Sequence, residues 1–181
     1  MSGCRRCTMA WVLLALVCAP AVAAAVEHEA VPGSMVPRAK GAETAVLWQP
    51  GDPGERLFLR GRVLGSDGRP LAGAVVNLWH ADGTGRYRET RYRTRLETAK
   101  DGTFNVATVL PGQYWGVKHI HVVVDHHDYP RLDKRIVFKG DPNLNQTGGR
   151  DQAILLEEVH KDGEKVLVGG VELVLGAKVG N

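Results

Sequence analysis

Past residue 25 the chain contains no cysteine; Cys4, Cys7 and Cys18 all precede that point. The remainder therefore cannot be stapled by disulfides, and any metal it binds must be held by His, Tyr, Asp or Glu. A strong charge of one sign is also missing. Lys and Arg number 23 against 20 Asp and Glu, a balance of +3. Leaving out Arg5 and Arg6, in a stretch with no acidic residue, reduces it to +1. This gives no basis for a nucleic acid partner or for adhesion to an anionic membrane. No later segment is long and apolar enough to span a bilayer, so no membrane span is expected after the leader is removed. No segment has a long helical period, and no repeat recurs at fixed spacing.

What is present divides into three parts. Residues 1–25 combine Arg5 and Arg6, an apolar run from Met9 to Val17, and small-residue cleavage patterns at Ala21-Val22-Ala23 and Ala23-Ala24-Ala25. That pattern predicts a secretory signal peptide, and with it an exported, periplasmic or secreted protein. Residues 26–55 lack periodicity and read as a linker or N-terminal arm. From residue 56 to 181, short β-branched runs alternate with Gly, Asp and Pro turns, the pattern of an all-β sandwich or barrel. Strands are expected at Leu57–Leu64, Ala74–His80, Arg93–Thr98, Thr103–Thr108, through the run that follows His119, at Arg135–Lys139, Ala153–His160 and Lys165–Leu175. Asp101-Gly102 and Asp162-Gly163 read as hairpin turns.

The chemistry concentrates in Tyr114-Trp115-Gly116-Val117-Lys118-His119-Ile120-His121. Side chains alternate along a strand, so His119 and His121 share a face and together can hold a metal ion. A phenolate nearby suits a hard ion such as Fe(III). Tyr87, Tyr92, Tyr114, Tyr129, His80, Asp125, His126 and His127 are the other candidate ligands. Trp79 reads as core or wall, and Tyr92 and Tyr129 as structural. His126 and His127, among Asp125, Asp128 and Pro130, read as a solvated loop.

The ordered pieces between Leu59 and Asn143 resemble the intradiol ring-cleavage dioxygenases, the protocatechuate 3,4-dioxygenase and catechol 1,2-dioxygenase family. They are Gly61-Arg62-Val63 with Asp67-Gly68-Arg69-Pro70; Gly73 through Ala81; Gly85-Arg86-Tyr87-Arg88; Thr98 with Asp101-Gly102-Thr103-Phe104; Pro111-Gly112-Gln113-Tyr114; His119-Ile120-His121; and Val137-Phe138 with Gly140-Asp141-Pro142. The resemblance implies a two-sheet β-sandwich of the transthyretin-like type. It also implies an Fe(III) cofactor bound by Tyr87, Tyr114, His119 and His121, with Tyr114 doubling as general base. The implied reaction inserts O2 between the two hydroxylated carbons of a catechol-type aromatic, giving a muconate-type diacid. A homo-oligomer is compatible with the resemblance.

One departure stands out. The family's arginine shortly before His-x-His is not found in Trp115-Gly116-Val117-Lys118. Lys118 and Arg135 are the cations that remain to steady charge on the substrate, and lysine lacks the planar fork of arginine. Three other readings are open. A copper or zinc superoxide dismutase would need more histidines and usually a disulfide. A ferrous site of His119, His121 and Asp125 would place the carboxylate about 13 Å from His121, at about 3.3 Å per residue. A non-catalytic transthyretin-like binding module would keep the sandwich without turnover.

Overall fold

The computed structural model describes residues 44–114, 116–146 and 151–178. Residues 1–43, which cover the expected leader and most of the expected arm, and Trp115 lie outside the described residues. Among the described residues, ten strands build two five-stranded sheets and there is no α-helix. The first sheet has β1 (Thr44–Val46), β5 (Thr103–Val109), β2 (Arg56–Leu64), β10 (Glu164–Val174) and β9 (Leu156–Lys161) in that order. The second has β4 (Arg93–Glu97), β3 (Val75–Trp79), β6 (His119–His126), β7 (Tyr129–Phe138) and β8 (Asp151–Ile154). A 3-10 turn, Leu144–Gln146, follows β7.

The two-residue period fixes the inner faces. Leu57, Leu59, Val63, Phe104, Val106 and Leu173 from the first sheet meet Val76, Leu78, Ile120, Val122, Val124 and Ile136 from the second in one buried core. Removing this apolar area from water is the main force that presses the sheets together. Gly61 is required within that core: a Cβ there would overlap the Phe104 ring.

The strand expectations hold for most of the chain, with four differences. Thr44–Val46, within the expected arm, forms a parallel edge strand on β5. Asp101-Gly102 makes its local turn, with Ala99 N–H donating to Thr103 O at 2.9 Å and Gly102 N–H to Ala99 O at 2.8 Å. Its flanking strands do not pair as a hairpin, however: β4 pairs with β3, and β5 pairs with β2. The turn is a corner between sheets, anchored where Val63 N–H donates to Gly102 O at 2.8 Å. The run Ala153–His160 is two strands, because the chain crosses between sheets at exposed Leu155. Finally, β7 starts at Tyr129 and forms a tight hairpin with β6 around His127-Asp128, with a register shift between Val124 and His126.

Candidate metal centre

On β6, Ile120, Val122 and Val124 point into the core, so His119 and His121 lie on the outer face of the second sheet. Strand register places His121 in one row across all five strands: Arg93, Trp79, His121, Arg135 and Asp151. The Trp79 ring stacks on His121, with centroids 5.0 Å apart and planes within 7°. Trp79 is therefore a wall of the site rather than core.

The two imidazoles converge. Their Nε2 atoms are 3.1 Å apart, and the rings stand nearly perpendicular at 84°. Two nitrogens bound at right angles to one ion by bonds of about 2.1 Å would be separated by about 3.0 Å. His119 is buried, and its Nδ1–H donates to Val117 O at 2.8 Å, which turns the Nε2 lone pair toward that point. Burial first, then the neighbouring His119 and Arg135, lower the pKa of His121. Lower basicity keeps its lone pair available near neutral pH.

The tyrosines arrive on two loops that nest together. Tyr87 follows β3, and Tyr114 lies between β5 and β6. Their rings meet edge to face at 4.7 Å, and Tyr87 lies 6.5 Å from the His121 ring between centroids. Burial, then the proximity of Tyr114, raises the Tyr87 pKa, so its phenol is protonated in the metal-free protein. Both tyrosines keep over a third of their surface exposed, 39% and 37%, so a small aromatic can reach them from solvent.

The donor set is two imidazoles and two phenols without a thiol, and hard phenolate oxygens favour a ferric ion. The chemistry and the Nε2 convergence both fit iron. Arg135 shares the outer face with His121, but its Nε and Nη2 donate to the two carboxylate oxygens of Asp151 at 2.9 and 2.7 Å. Lys118 is half-buried before β6, its backbone N–H held by Asp141 Oδ2 at 2.9 Å. Asp125 is turned to Arg131 at 3.4 Å and does not join the histidine pair. His126, His127 and Asp128 bring ligand atoms within 4.8 Å of one another. Yet His126 Nδ1 accepts the Asp128 N–H, and the Asp128 carboxylate pairs with Lys178 at 3.2 Å.

Sequence reasoning missed Asp82, Asp141 and Asp151, the carboxylates that brace the surrounding loops and strands. The Asp82-Gly83-Thr84-Gly85 run signals an Asx-type turn. Nothing local signals Asp151, which acquires Arg135 through parallel pairing of β8 with β7.

A dioxygenase family profile matches residues 33–167, well over half of the chain. Catechol 1,2-dioxygenase 2 of Acinetobacter lwoffii is 31% identical over 51% of this chain and 43% of its own length. The chain belongs to the intradiol dioxygenase family. Another member, the protocatechuate 3,4-dioxygenase beta chain of Burkholderia cepacia, is 32% identical over 52% of this chain and 49% of its own. This intradiol family member thus spans about half the length of the curated relatives it matches. A solved structure of similar extent is the dioxygenase domain of a dioxygenase carbohydrate-binding protein fusion from Streptomyces sp. SirexAA-E. It is 28% identical with a TM-score of 0.63, over 83% of this chain and 97% of that one.

Proposed function

We propose that the protein is a non-haem Fe(III) intradiol dioxygenase. In this reading it adds both atoms of O2 to a catechol-type aromatic, between the two hydroxylated carbons, to give a muconate-type diacid. The observation that carries it is the 3.1 Å convergence of His119 and His121 Nε2 beside the Tyr87–Tyr114 pair. Bound iron would supply Lewis-acid polarisation of the catechol and a template for its orientation.

The remaining work falls to the chain's own residues. Val117 O holds the His119 tautomer, and the Trp79 stack holds the plane of His121. Tyr87 and Tyr114 offer phenolate oxygens once their protons have left. Tyr114 Oη then takes a proton from a catechol hydroxyl, acting as general base. Exposed Tyr114 stands where an incoming aromatic meets the site, which suits it to exchange its place with substrate. The N-terminal pattern supports export to the periplasm or beyond, where the cysteine-free domain needs no redox protection.

The test is optical. Iron-loaded protein should be coloured by tyrosinate-to-Fe(III) charge transfer, and Tyr87→Phe and Tyr114→Phe should each alter the band. Colour that survives both substitutions together sinks the site. Oxygen uptake over a panel of catechols, one O2 per ring cleaved, then separates an enzyme from a binding module that is coloured but inert.

A further inference from the structure

We propose that Asp82 is a positioning residue that locks the two tyrosine-bearing loops into one unit and so sets how Tyr87 and Tyr114 together present their phenols. The inference rests on the iron reading above for its metal consequence, but not for the locking itself. The Asp82 side chain is 1% exposed and lies in the loop that leads to Tyr87. Its Oδ1 accepts three hydrogen bonds, from Thr84 N–H at 2.9 Å, Thr84 Oγ1 at 2.6 Å and Arg86 N–H at 3.0 Å. Its Oδ2 accepts Arg88 Nε at 3.1 Å. The carboxylate therefore grips the residues on both sides of Tyr87.

The backbone of the same residue reaches the other loop. Asp82 N–H donates to Arg86 O at 2.8 Å, and Asp82 O accepts Gly85 N–H at 2.9 Å and Gly112 N–H at 2.8 Å. Gly112 lies two residues before Tyr114. One residue thus bonds to both tyrosine segments, and it draws them into direct backbone contact. A Cβ at Gly85 would overlap the carbonyl oxygen of Gln113, and one at Gly112 would overlap the amide nitrogen of Gly85. Gly85 also holds a φ of +82°, a conformation that only glycine takes without strain. The loops have no slack: a shift of the Tyr87 loop must push the Tyr114 loop. Burial alone would push the Asp82 pKa up, but the bonds from Thr84, Arg86 and Arg88 outweigh it and hold the carboxyl down to about 2. Asp82 is accordingly ionised and gripping at any pH where the protein would work.

Two arms test this. In the metal-free protein, Asp82→Ala should speed amide exchange at Arg86, Gly85 and Gly112 at least tenfold, while exchange at Ile120 and Val122 in β6 stays as in the parent. In iron-loaded protein the same variant should weaken iron binding about 10–100-fold, measured by chelator competition, the range typical of groups that orient ligands. Its visible band should shift, and the shift should persist in a Tyr87→Phe background, where Tyr114 alone reports. Asp82→Asn keeps one oxygen for Thr84 and Arg86 but sets an amide against Arg88, so it should fall between the parent and Ala. It carries the test if Asp82→Ala does not fold. Leu173→Ala, in the core of the other sheet, controls for simple destabilisation: it should speed exchange at Ile120 and Val122 through global opening, with no selective gain at Gly85, Arg86 and Gly112, and should leave the band unchanged. Unchanged exchange at Gly112, or a band that moves no more than in Leu173→Ala, overturns the proposal. A colourless iron-loaded parent overturns the iron reading and the metal consequence with it; the exchange arm then still decides whether Asp82 locks the loops.

Discussion

Acid should weaken this protein through one buried imidazole. His80 is 1% exposed, its Nδ1–H donating to Ala81 O at 2.7 Å and its Nε2 accepting the Thr108 hydroxyl at 2.7 Å. Both nitrogens are satisfied in the neutral form. Charging the ring means charging it without water, and this burial is the chief cause that lowers its pKa from 6.5 to about 4; Ala81 and Asp82 partly oppose it, and His119 adds to it. The folded state therefore binds the proton more weakly than the unfolded chain. The sign follows: His80 leaves stability untouched above pH 6.5, and stability is lost as pH falls from 6.5 toward about 4. With each pKa unit equal to about 1.4 kcal/mol, the loss is about 2 kcal/mol at pH 5 and about 3 kcal/mol at pH 4. The assay is urea unfolding of metal-free protein between pH 7 and pH 4, parent against His80→Gln. The variant is less stable at pH 7 because the pair with Thr108 is altered, but it should lose about 3 kcal/mol less on acidification. Parallel curves for the two proteins would refute the reasoning. So would an NMR titration in the parent that shows His80 protonating near pH 6.5.

Three further outcomes are expected. Trp79→Leu removes the ring stacked on His121 and should weaken iron binding about tenfold by chelator competition; an unchanged affinity would show that the stack orients nothing. Asp151→Asn releases the Arg135 guanidinium one strand from His121, at a stability cost of about 1–3 kcal/mol after discounting for the partly exposed arginine. The ratio of kcat/KM for a carboxylated over a plain catechol should then rise, and a constant ratio would mean that Arg135 does not face the substrate. Gly61→Ala should cost about 2–3 kcal/mol by driving a methyl into Phe104. The double variant with Phe104→Leu should recover part of that loss in thermal unfolding, and strict additivity of the two changes would contradict the packing.

The sequence made the face of each strand legible, but not its neighbours. Alternation alone puts His119 and His121 together and Ile120 and Val122 opposite them, because the two-residue period is set by the backbone. Partner choice is non-local. The Asp101-Gly102 turn has the local hydrogen bonds of a hairpin, and only competition from β2 and β3 for the flanking strands shows it to be a corner. The break at Leu155 is invisible for the same reason: an unbroken β-rich run reads as one strand until two sheets claim its halves. Tyr87 and Tyr114 were legible through ordered family motifs rather than through physics, since no period brings two loops together. The bracing carboxylates Asp82, Asp141 and Asp151 look like ordinary polar residues in the sequence. Their importance comes from burial and from partners between 2 and 23 positions away.

The order of strands has a consequence for how the chain comes together in time. The second neighbour of β2 is β10, in parallel register from Leu57 beside Leu167 to Leu64 beside Val174. A chain emerging from the ribosome makes β3, β4, β6 and β7 long before this partner appears. Until then β2 shows a bare edge, and the floor under the histidine-bearing sheet is incomplete. Contacts of such long range are slow to close and leave strands open to wrong partners in the interval. The proposed metal ligands are thus synthesised early, but the strand that completes the sheet behind them comes after them.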